Sequence, residues 1–344
     1  MRRFWLFRSN LKSLEYYHKY KDLHSFINNC HDYYMLLPLW LLQNDYFDEV
    51  TVWRLSDKPR EPIMFDVDGK KYYQRWRKSF NETLDQPDPD VSFWRGGFRE
   101  YDEVTKLNPK RFGFKIYLGA GQRINAQWGG KYDVILMEDD HDIRKNPGTF
   151  PFYKTASPYV FYPFKNTIVN MYWDICWPCN FTQIRYKGQK YFIQQIAQSE
   201  MLRRLRIVHC GNKPEVGKKL CKEYGVDNIE FLGSQERPAL NKILNSCRFG
   251  LNVSNRYDGC PRVSTEILMS GTPLIIHERT RLLSYYKNRG VIEVNDENIT
   301  EKILMAIEHY MGHKVNVSLA IKNELSFDNT NKKNIDLWMK LGKI

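Results

Sequence analysis

The stretch LNVSNRYDGCPRVSTEILMSGTPLII, residues 251–276, decides the fold. It contains an apolar strand, a loop with Asp258, a short amphipathic helix with Glu266, a break at residues 271–273 and a second apolar strand. A strand and a helix in this order predict a unit of a parallel sheet. Ligands of such sheets bind at the carboxyl ends of the strands, so the loop and the helix start form a candidate binding site.

The same pattern continues along the second half of the chain. Apolar strands are predicted at residues 204–211, 228–233, 249–254, 273–277 and 290–294, and helices at 214–225, 237–247, 262–270 and 299–310. Their strict alternation predicts a parallel sheet with helices on both faces.

The first half shows the same elements less regularly. Strands are predicted at residues 3–9, 48–55, 89–97, 112–121, 132–138 and 157–163, with a helix at 32–42. A hairpin is predicted around Asp68-Gly69, because this pair favours the tight turn between two antiparallel strands. The chain is therefore predicted to be an α/β protein with two doubly wound parallel sheets. A final short helix within residues 331–342 has one apolar face that needs a partner surface.

Composition and charge narrow the class of protein. The chain has 344 residues, of which 42 % are hydrophobic, so a folded protein is expected rather than a disordered or fibrous one. A formal net charge of +12 favours an anionic partner, which can be nucleic acid, an anionic membrane surface or a phosphate-bearing ligand. The apolar run at the N-terminus is too short for a signal peptide, and no run of about 18 apolar residues offers a membrane span. We therefore expect a cytoplasmic protein, and peripheral contact with a membrane surface stays open.

The cysteines and histidines give weaker signals. Seven irregularly spaced cysteines indicate reduced intracellular thiols. Cys176 and Cys179 form a CxxC pair inside a predicted strand, and buried structural thiols are favoured over a redox pair or half of a zinc site. His209 and His277 end predicted strands, where a structural role is favoured over a catalytic one.

The helix start after Asp258 has the chemistry of an anion site. The backbone N–H groups of Arg262, Val263 and Ser264 are expected to be the unpaired donors of a helix N-terminus. The flanking carboxylates of Asp258 and Glu266 would repel phosphate, but they accept hydrogen bonds from hydroxyl groups. A nucleoside-diphosphate sugar carries hydroxyls on both sides of its diphosphate, one set on the sugar and one on the ribose.

This stretch resembles the E-x7-E motif of retaining GT-B glycosyltransferases, family four of the sugar transferases. Asp258-Gly259 stands for the first Glu-Gly, Glu266 is the second acid, and residues 270–273 close the motif. The resemblance implies that Asp258 contacts hydroxyls of the donor sugar and Glu266 those of the ribose.

A second match to this family lies upstream, in residues 174–198. Lys187-Gly188 is similar to the end of the family's Arg-x4-Lys-Gly motif, whose cations neutralise the diphosphate leaving group, and Arg185 is the nearest arginine. Gly211-Asn212 resembles the family's glycine loop, and Ser254 ends the strand before the acidic loop. The resemblance implies that Lys187 and Arg185 assist catalysis and that these loop residues bind the donor.

The acceptor side is assigned to the first half of the chain. Arg95, Gly96 and Gly97 follow a predicted strand and form either a glycine loop near the donor or a plain turn. The family commonly has a histidine near the reacting centre, whereas the matching strand here ends in Gly119-Ala120-Gly121.

An acidic run, Glu138 to Asp142, follows another predicted strand and includes Asp140 and His141. It is interpreted as a solvated loop, as an acceptor-binding site or a general base, or as oxygen ligands of Mg²⁺ or Mn²⁺. In a GT-B frame no metal is required, because Lys187 and helix N-termini stabilise the phosphates.

Together these features predict two Rossmann-like domains facing a central cleft. Residues 1–165 would bind the acceptor, 166–315 the donor, and 316–344 would pack back as a helical segment. The predicted activity is that of a hexosyl- or pentosyltransferase in glycan biosynthesis, which moves a sugar from a UDP or GDP sugar to a glycan or lipid-linked hydroxyl with retention. The alternatives are an inactive homologue that binds nucleotide sugar and a basic nucleic-acid-binding protein, the latter motivated by KKYYQRWRK at residues 70–78.

Overall fold

The computed structural model describes residues 1–8, 20–30, 32–55, 60–83, 85–95, 110–119, 131–164, 171–181, 188–254, 258–259 and 261–341. The chain divides into two compact units, Met1–Lys154 with Thr330–Ile344, and Thr155–Asn329. Each unit holds its own parallel sheet, which confirms the predicted fold class. The expected domain limits at residues 165 and 315 stay predictions.

The sheet of the first unit is parallel except at one edge. Its strands are β1 (Arg3–Arg8), β2 (Glu49–Leu55), β3 (Ile63–Val67), β4 (Lys70–Arg77), β5 (Val91–Arg95), β6 (Phe114–Gly119), β7 (Val134–Met137) and β8 (Phe150–Pro151). They lie in the order β3-β4-β2-β1-β5-β6-β7-β8, and the β3–β4 pair is antiparallel.

The predicted hairpin is this β3–β4 pair. Its turn residues Asp68 and Gly69 have φ angles of 53° and 82°, the left-handed conformation that such a turn requires. Along β4 the side chains of Tyr72, Gln74 and Trp76 are buried. The basic residues between them point to the other face, so the mixture of basic and aromatic residues at 70–78 reflects the two faces of one strand.

The first unit has an aromatic core. On one face of the sheet Trp5, Phe7, Trp53 and Trp94 pack together, and the rings of Phe7 and Trp94 stack at 3.9 Å. The helices of this part are α1 (Leu23–Asn29), α2 (Tyr33–Gln43) and α3 (Asp140–Lys145). The residues of α2 from Tyr33 to Leu42 are buried, as the apolar run at 32–42 predicts.

One predicted strand is wrong. Residues 158–160 form a turn instead of extended chain. The carbonyl of Ser157 accepts hydrogen bonds from the N–H groups of Val160 and Phe161 at 3.3 and 2.9 Å. Pro158 and Pro163 have no N–H group for a sheet. Between them Val160 and Phe161 are buried without being in a strand, and Tyr159 and Tyr162 are exposed.

The sheet of the second unit is entirely parallel. Its strands are β9 (Trp173–Pro178), β10 (Ile207–Cys210), β11 (Ile229–Gly233), β12 (Cys247–Asn252), β14 (Leu274–His277) and β16 (Val291–Val294), in the order β11-β10-β9-β12-β14-β16. The short strands β13 (Asp258–Gly259) and β15 (Thr280–Arg281) pair separately. Strand order reverses between β9 and β12, and ligands of such sheets bind at this switch point.

The helices of the second unit follow the predicted pattern. They are α4 (Gln189–Gln198), α5 (Glu200–Arg203), α6 (Pro214–Tyr224), α7 (Arg237–Asn245), α8 (Arg262–Met269), α9 (Ser284–Lys287), α10 (Ile299–Glu308) and α11 (Tyr310–Ala320). The four predicted helices correspond to α6, α7, α8 and α10. Ile175, Phe192, Phe249 and Ile275 are fully buried in the core of this unit.

The last helix, α12 (Phe327–Lys340), returns to the first unit. Asn334 Nδ2 donates to the carbonyl of Tyr153 at 2.6 Å, and the Tyr153 N–H donates to Asn334 Oδ1 at 3.0 Å. The Trp338 ring is fully buried 5.9 Å from that of Phe93. Among the described helices, none has the length and apolar character needed to cross a bilayer.

Candidate functional site

A cavity of about 430 Å³ opens at the carboxyl edge of the second sheet. The ends of β9, β10, β11 and β12 and the first turns of α7 and α8 form its wall. The lining residues are Pro178, Cys179, Asn180, Cys210, Gly211, Ser234, Gln235, Arg237, Leu240, Asn252, Pro261, Arg262, Val263 and Glu266. The cavity thus lies where strand order predicts a ligand site.

Glu266 is the buried carboxylate of this cavity. Its side chain is 1 % exposed, and Oε2 accepts a 3.0 Å hydrogen bond from Nη1 of Arg237. Nε of Arg262 lies 3.5 Å from Oε1, which is an ion-pair contact and not a hydrogen bond. Oε1 is buried and has no hydrogen-bond partner. Buried oxygens are normally hydrogen-bonded, so Oε1 is suited to a donor group on a ligand.

The first turn of α8 lines the cavity with Arg262 and Val263. Ser264 differs from the expectation. Its N–H donates to the carbonyl of Pro261 at 2.9 Å, and its buried Oγ accepts from Nδ2 of Asn252 at 3.1 Å. The N–H of Ser264 is therefore not an unpaired donor, because the chain folds back on itself at Pro261.

Gly211 brings two strand ends close together at the cavity wall. A Cβ atom at this position would lie 1.7 Å from the carbonyl oxygen of Cys179, so only glycine fits here. Asn212 does not line the cavity. Its N–H donates to Oδ1 of Asn180 at 2.8 Å, and it thereby fixes the neighbouring loop.

The backbone of Asp258 and Gly259 is held by a short parallel pairing with Thr280 and Arg281. The side chain of Asp258 lies outside the described part. Ser254 is 1 % exposed, and its N–H donates to Oγ1 of Thr280 at 3.4 Å. It thereby contacts the same short strand that pairs with Asp258 and Gly259.

The CxxC pair is divided between core and cavity. Cys176 is fully buried, and burial raises the pKa of its thiol, whereas Cys179 is partly exposed and lines the cavity. His209 has no exposed surface, and desolvation lowers its pKa to about 4. His277 is 1 % exposed, with Nε2 3.1 Å from Oδ1 of Asp296, and burial lowers its pKa despite that carboxylate.

In the first unit Arg95 belongs to a buried charge cluster. Glu138 is 4 % exposed, and its Oε1 lies 3.1 Å from Nζ of Lys154 and 3.7 Å from Nη2 of Arg95. It also accepts a hydrogen bond from the Tyr34 hydroxyl. Burial alone would raise the pKa of Glu138, but Lys154 and Arg95 outweigh that effect and lower it. The guanidinium of Arg95 stacks 4.0 Å above the Tyr34 ring.

The rest of the acidic run begins helix α3. Asp139 caps the helix by accepting from the N–H of Asp142 at 2.8 Å, and Asp140 and His141 form its first turn. The interpretation as a solvated loop is therefore wrong for Glu138 and Asp139, which are buried. Within the described ranges, no group of three or more His, Cys, Asp or Glu side chains could hold a metal ion.

The chain is similar in sequence to one protein family and in structure to several solved proteins. Residues 182–318 match the family of glycosyl transferases group 1. The whole chain is similar to the structure of sucrose-phosphate synthase from Thermosynechococcus elongatus, with 12 % identity, 99 % of each chain covered and a TM-score of 0.67. It is similarly related to an alpha,alpha-trehalose-phosphate synthase (UDP-forming) from Burkholderia vietnamiensis, with 10 % identity, complete coverage of both chains and a TM-score of 0.65. The chain has the GT-B fold.

A third GT-B structure, HepE from Anabaena, was solved in complex with UDP and glucose. It shares 9 % identity with this chain over 99 % of this chain and 100 % of its own, with a TM-score of 0.61. No curated protein sequence matches the chain. The predicted GT-B fold is confirmed, and the family match supports sugar transfer as the general activity.

Four of the predicted GT-B site residues, Lys187, Arg185, Gly96 and Gly97, lie outside the described part of the chain. Ala120 and Gly121, which stand where the family has its histidine, lie there as well. The described part brings together Gly211, Arg262, Val263 and Glu266 at one cavity. Arg95, Asp140 and His141 belong to the first unit.

Sequence reasoning missed Arg237 and Asn252. Arg237 begins α7 directly after the turn that follows β11, and Asn252 is the last residue of β12. Both positions carry a recognisable signal. Asn252 lies near the end of one predicted strand and Arg237 begins the predicted helix that follows another, at the edge where ligands of parallel sheets bind. What the sequence does not show is that Arg237 pairs with a carboxylate 29 positions later.

Proposed function

We propose that this chain is a glycosyltransferase that moves a hexosyl or pentosyl group from a UDP or GDP sugar to a hydroxyl acceptor, with retention of anomeric configuration. The observation that carries the proposal is that Glu266 lines a cavity at the sheet's switch point and that its buried Oε1 has no hydrogen-bond partner. A ribose hydroxyl is a neutral donor that satisfies this oxygen.

The same cavity has cationic groups for a diphosphate. Arg237 and Arg262 line it with side chains 30 % and 47 % exposed. The N-terminus of α8 adds the positive end of a helix dipole. Two guanidinium groups and one carboxylate leave the wall with excess positive charge, which favours a dianionic group beside the hydroxyl-binding carboxylate.

The size of the cavity also suits such a donor. Small-molecule sites in proteins typically enclose about 300–1,000 Å³, and this cavity measures about 430 Å³. Its position at the ends of four parallel strands is typical of nucleotide sites in doubly wound sheets.

The leaving group in this reaction is the nucleoside diphosphate, on which negative charge increases as the glycosidic bond breaks. We assign its stabilisation to Lys187 and Arg185, together with the start of α8, and contacts with the donor sugar to Asp258. Protein cations perform the charge neutralisation that a divalent metal performs in other transferases, so the proposed mechanism requires no metal.

The acceptor is assigned to the first unit, around Arg95, Gly96, Gly97, Asp140 and His141. The proposed acceptor is a glycan or a lipid-linked glycan. The net charge of +12 suits a cytoplasmic enzyme that makes peripheral contact with an anionic membrane.

The proposal is tested first by ligand-induced stabilisation. UDP, GDP, ADP and CDP and their common sugars are added to the wild type, to Glu266→Gln and to Glu301→Gln, a matched loss of an exposed acid in α10. A ligand at 100 times its dissociation constant stabilises the native state by about 2.7 kcal/mol. We expect UDP or GDP to raise the melting temperature of the wild type and of Glu301→Gln, and to lose most of this effect in Glu266→Gln.

Turnover is then measured as release of nucleoside diphosphate from the matching sugar donor, and the anomeric configuration of the product is read by NMR. A nucleotide shift without any release would indicate the inactive homologue. No shift with any nucleotide would contradict the proposed function.

A further inference from the structure

We propose that Arg237 is a positioning residue that sets the preference of the site for ribonucleotides over 2′,3′-dideoxyribonucleotides. It holds one oxygen of Glu266 and leaves the other for a ribose hydroxyl. This inference rests on the proposed function, because it assumes that the cavity binds a nucleoside diphosphate.

The carboxylate of Glu266 is held asymmetrically. Arg237 Nη1 donates to Oε2 at 3.0 Å, whereas Oε1 has an ion-pair contact at 3.5 Å with Arg262 but no hydrogen bond. The Glu266 side chain is buried, so a hydrogen bond to one of its oxygens restrains the rotation of the carboxylate. We infer that Arg237 determines in this way where Oε1 lies.

Arg237 and Arg262 do not contribute equally to holding the carboxylate of Glu266. Arg237 is 30 % exposed and belongs to a different helix, so it bridges α7 and α8. Arg262 is 47 % exposed and lies one turn before Glu266 on the same helix. An exposed ion pair of this kind contributes little stabilising free energy, since solvent screens the two charges. Loss of Arg237 would thus release the carboxylate, while Arg262 alone would hold it only weakly.

The charge balance indicates which ligand group Oε1 accepts from. Two guanidinium groups already compensate the single carboxylate of Glu266. A further cation at Oε1 would add to an existing positive excess, whereas a neutral hydroxyl satisfies the oxygen without changing the charge. The cis hydroxyls of ribose are such donors, and 2′,3′-dideoxyribose has none.

The test compares UDP with 2′,3′-dideoxy-UDP by isothermal titration calorimetry, or the corresponding pair of whichever nucleoside diphosphate binds best in the thermal-shift panel. We expect the wild type to favour the ribonucleotide by about tenfold or more, the value of one hydrogen bond to a charged group. In Arg237→Gln this ratio should fall to about threefold or less, because UDP should lose more affinity than dideoxy-UDP.

Two further variants complete the test. Arg237→Lys keeps a positive donor and should recover part of the ratio, which also keeps the test informative if Arg237→Gln does not fold. Arg248→Gln removes an arginine of the same unit that does not line the cavity, and it should keep the wild-type ratio.

Two results would overturn the inference while leaving the proposed function intact. One is an Arg237→Gln variant with both affinities, and hence the ratio, as in the wild type, which would mean that Arg237 does not act on the site. The other is a ratio kept while both affinities fall, which would mean that Arg237 contacts the phosphates or the base directly. If no nucleoside diphosphate binds the wild type, the proposed function itself fails, and this inference fails with it.

Discussion

His209 Nε2 lies 3.5 Å from Sγ of Cys179, so a cavity-lining thiol is backed by an imidazole with no exposed surface. The rings of Phe181 and Phe231 lie 4.7 and 5.2 Å from that of His209. These apolar surroundings explain why desolvation lowers the pKa of His209 to about 4. The residue is therefore neutral at physiological pH and is part of the structural floor beneath the strand ends.

The buried His209 makes stability depend on pH. An unfolded histidine has a pKa of about 6.5, so above that pH the residue is neutral in both states. As the pH falls from 6.5 towards 4, the unfolded chain binds a proton that the folded chain excludes. We expect this group to reduce the free energy of unfolding by about 1.4 kcal/mol per pH unit in that window.

The measurement is urea unfolding of the wild type and His209→Gln at pH 7, 6 and 5. His277 remains in both proteins, so its own pH dependence cancels in the comparison. The variant should lose less stability than the wild type between pH 7 and 5. Parallel losses in the two proteins, or an NMR titration that shows protonation of His209 near pH 6.5, would contradict the prediction.

Nucleotide should protect Cys179 from alkylation. Of the six cysteines in the described part, Cys179 is partly exposed and the other five are buried. Because Cys179 lines the cavity, a bound nucleoside diphosphate should slow its reaction with N-ethylmaleimide by about tenfold or more, which peptide mass spectrometry measures. Cys221 serves as the buried control and should stay unmodified. Equal rates with and without saturating nucleotide would place the ligand elsewhere.

Gly211→Ala should be strongly destabilising. The added Cβ would lie 1.7 Å from the carbonyl oxygen of Cys179, and a backbone atom cannot move aside as a side chain can. We expect a loss of about 3 kcal/mol, the upper part of the usual range for overpacking. Thermal and urea unfolding measure the change.

Gly312→Ala is the matched control for this substitution. Gly312 lies in α11, and nothing is within 4 Å of its added Cβ. Alanine there should stabilise the protein by about 0.5–1 kcal/mol, because glycine is costly inside a helix. A Gly211→Ala variant as stable as Gly312→Ala would show that the strand ends are less tightly packed than described.

Glu138 should be needed for stability of the first unit. Glu138→Gln removes the negative charge that lies 3.1 Å from Nζ of Lys154, whose side chain is 9 % exposed. Breaking a buried ion pair in this way costs about 3 kcal/mol or more. Asp140→Asn, which removes a partly exposed acid two positions away, should change stability by only about 0.5 kcal/mol. If the two variants have similar unfolding midpoints, the charge cluster is not structural.

Local signals predicted most of the second unit. The apolar runs of β10, β12 and β14 and the amphipathic patterns of α6 and α8 are each encoded within about ten residues, and they alternate without interruption. The hairpin turn at Asp68-Gly69 could also be predicted from the sequence, because its two left-handed φ angles restrict the residue types that can form it. The strand predicted at 157–163 is wrong because the two prolines exclude it from a sheet, although Val160 and Phe161 between them are buried.

The cavity residues that the sequence predicts lie in single segments with recognisable motifs, and the contacts between segments are not predicted. Glu266 and Arg262 belong to a single stretch and were found from its spacing. Arg237 contacts Glu266 because α7 packs against α8, and no local sequence pattern predicts this packing. Ser264 was misjudged for a related reason, because its N–H donates within its own turn and its Oγ accepts from Asn252 in a neighbouring strand.

The return of α12 to the first unit has a consequence for biosynthesis. Trp338 is fully buried in that unit, yet the whole of Thr155–Asn329 is translated between it and the strands it packs on. A nascent chain that has just emerged as far as Lys154 therefore lacks part of its own core. The second unit is continuous in sequence, so on the ribosome we expect it to complete its fold before the first unit does, against the usual N-to-C order.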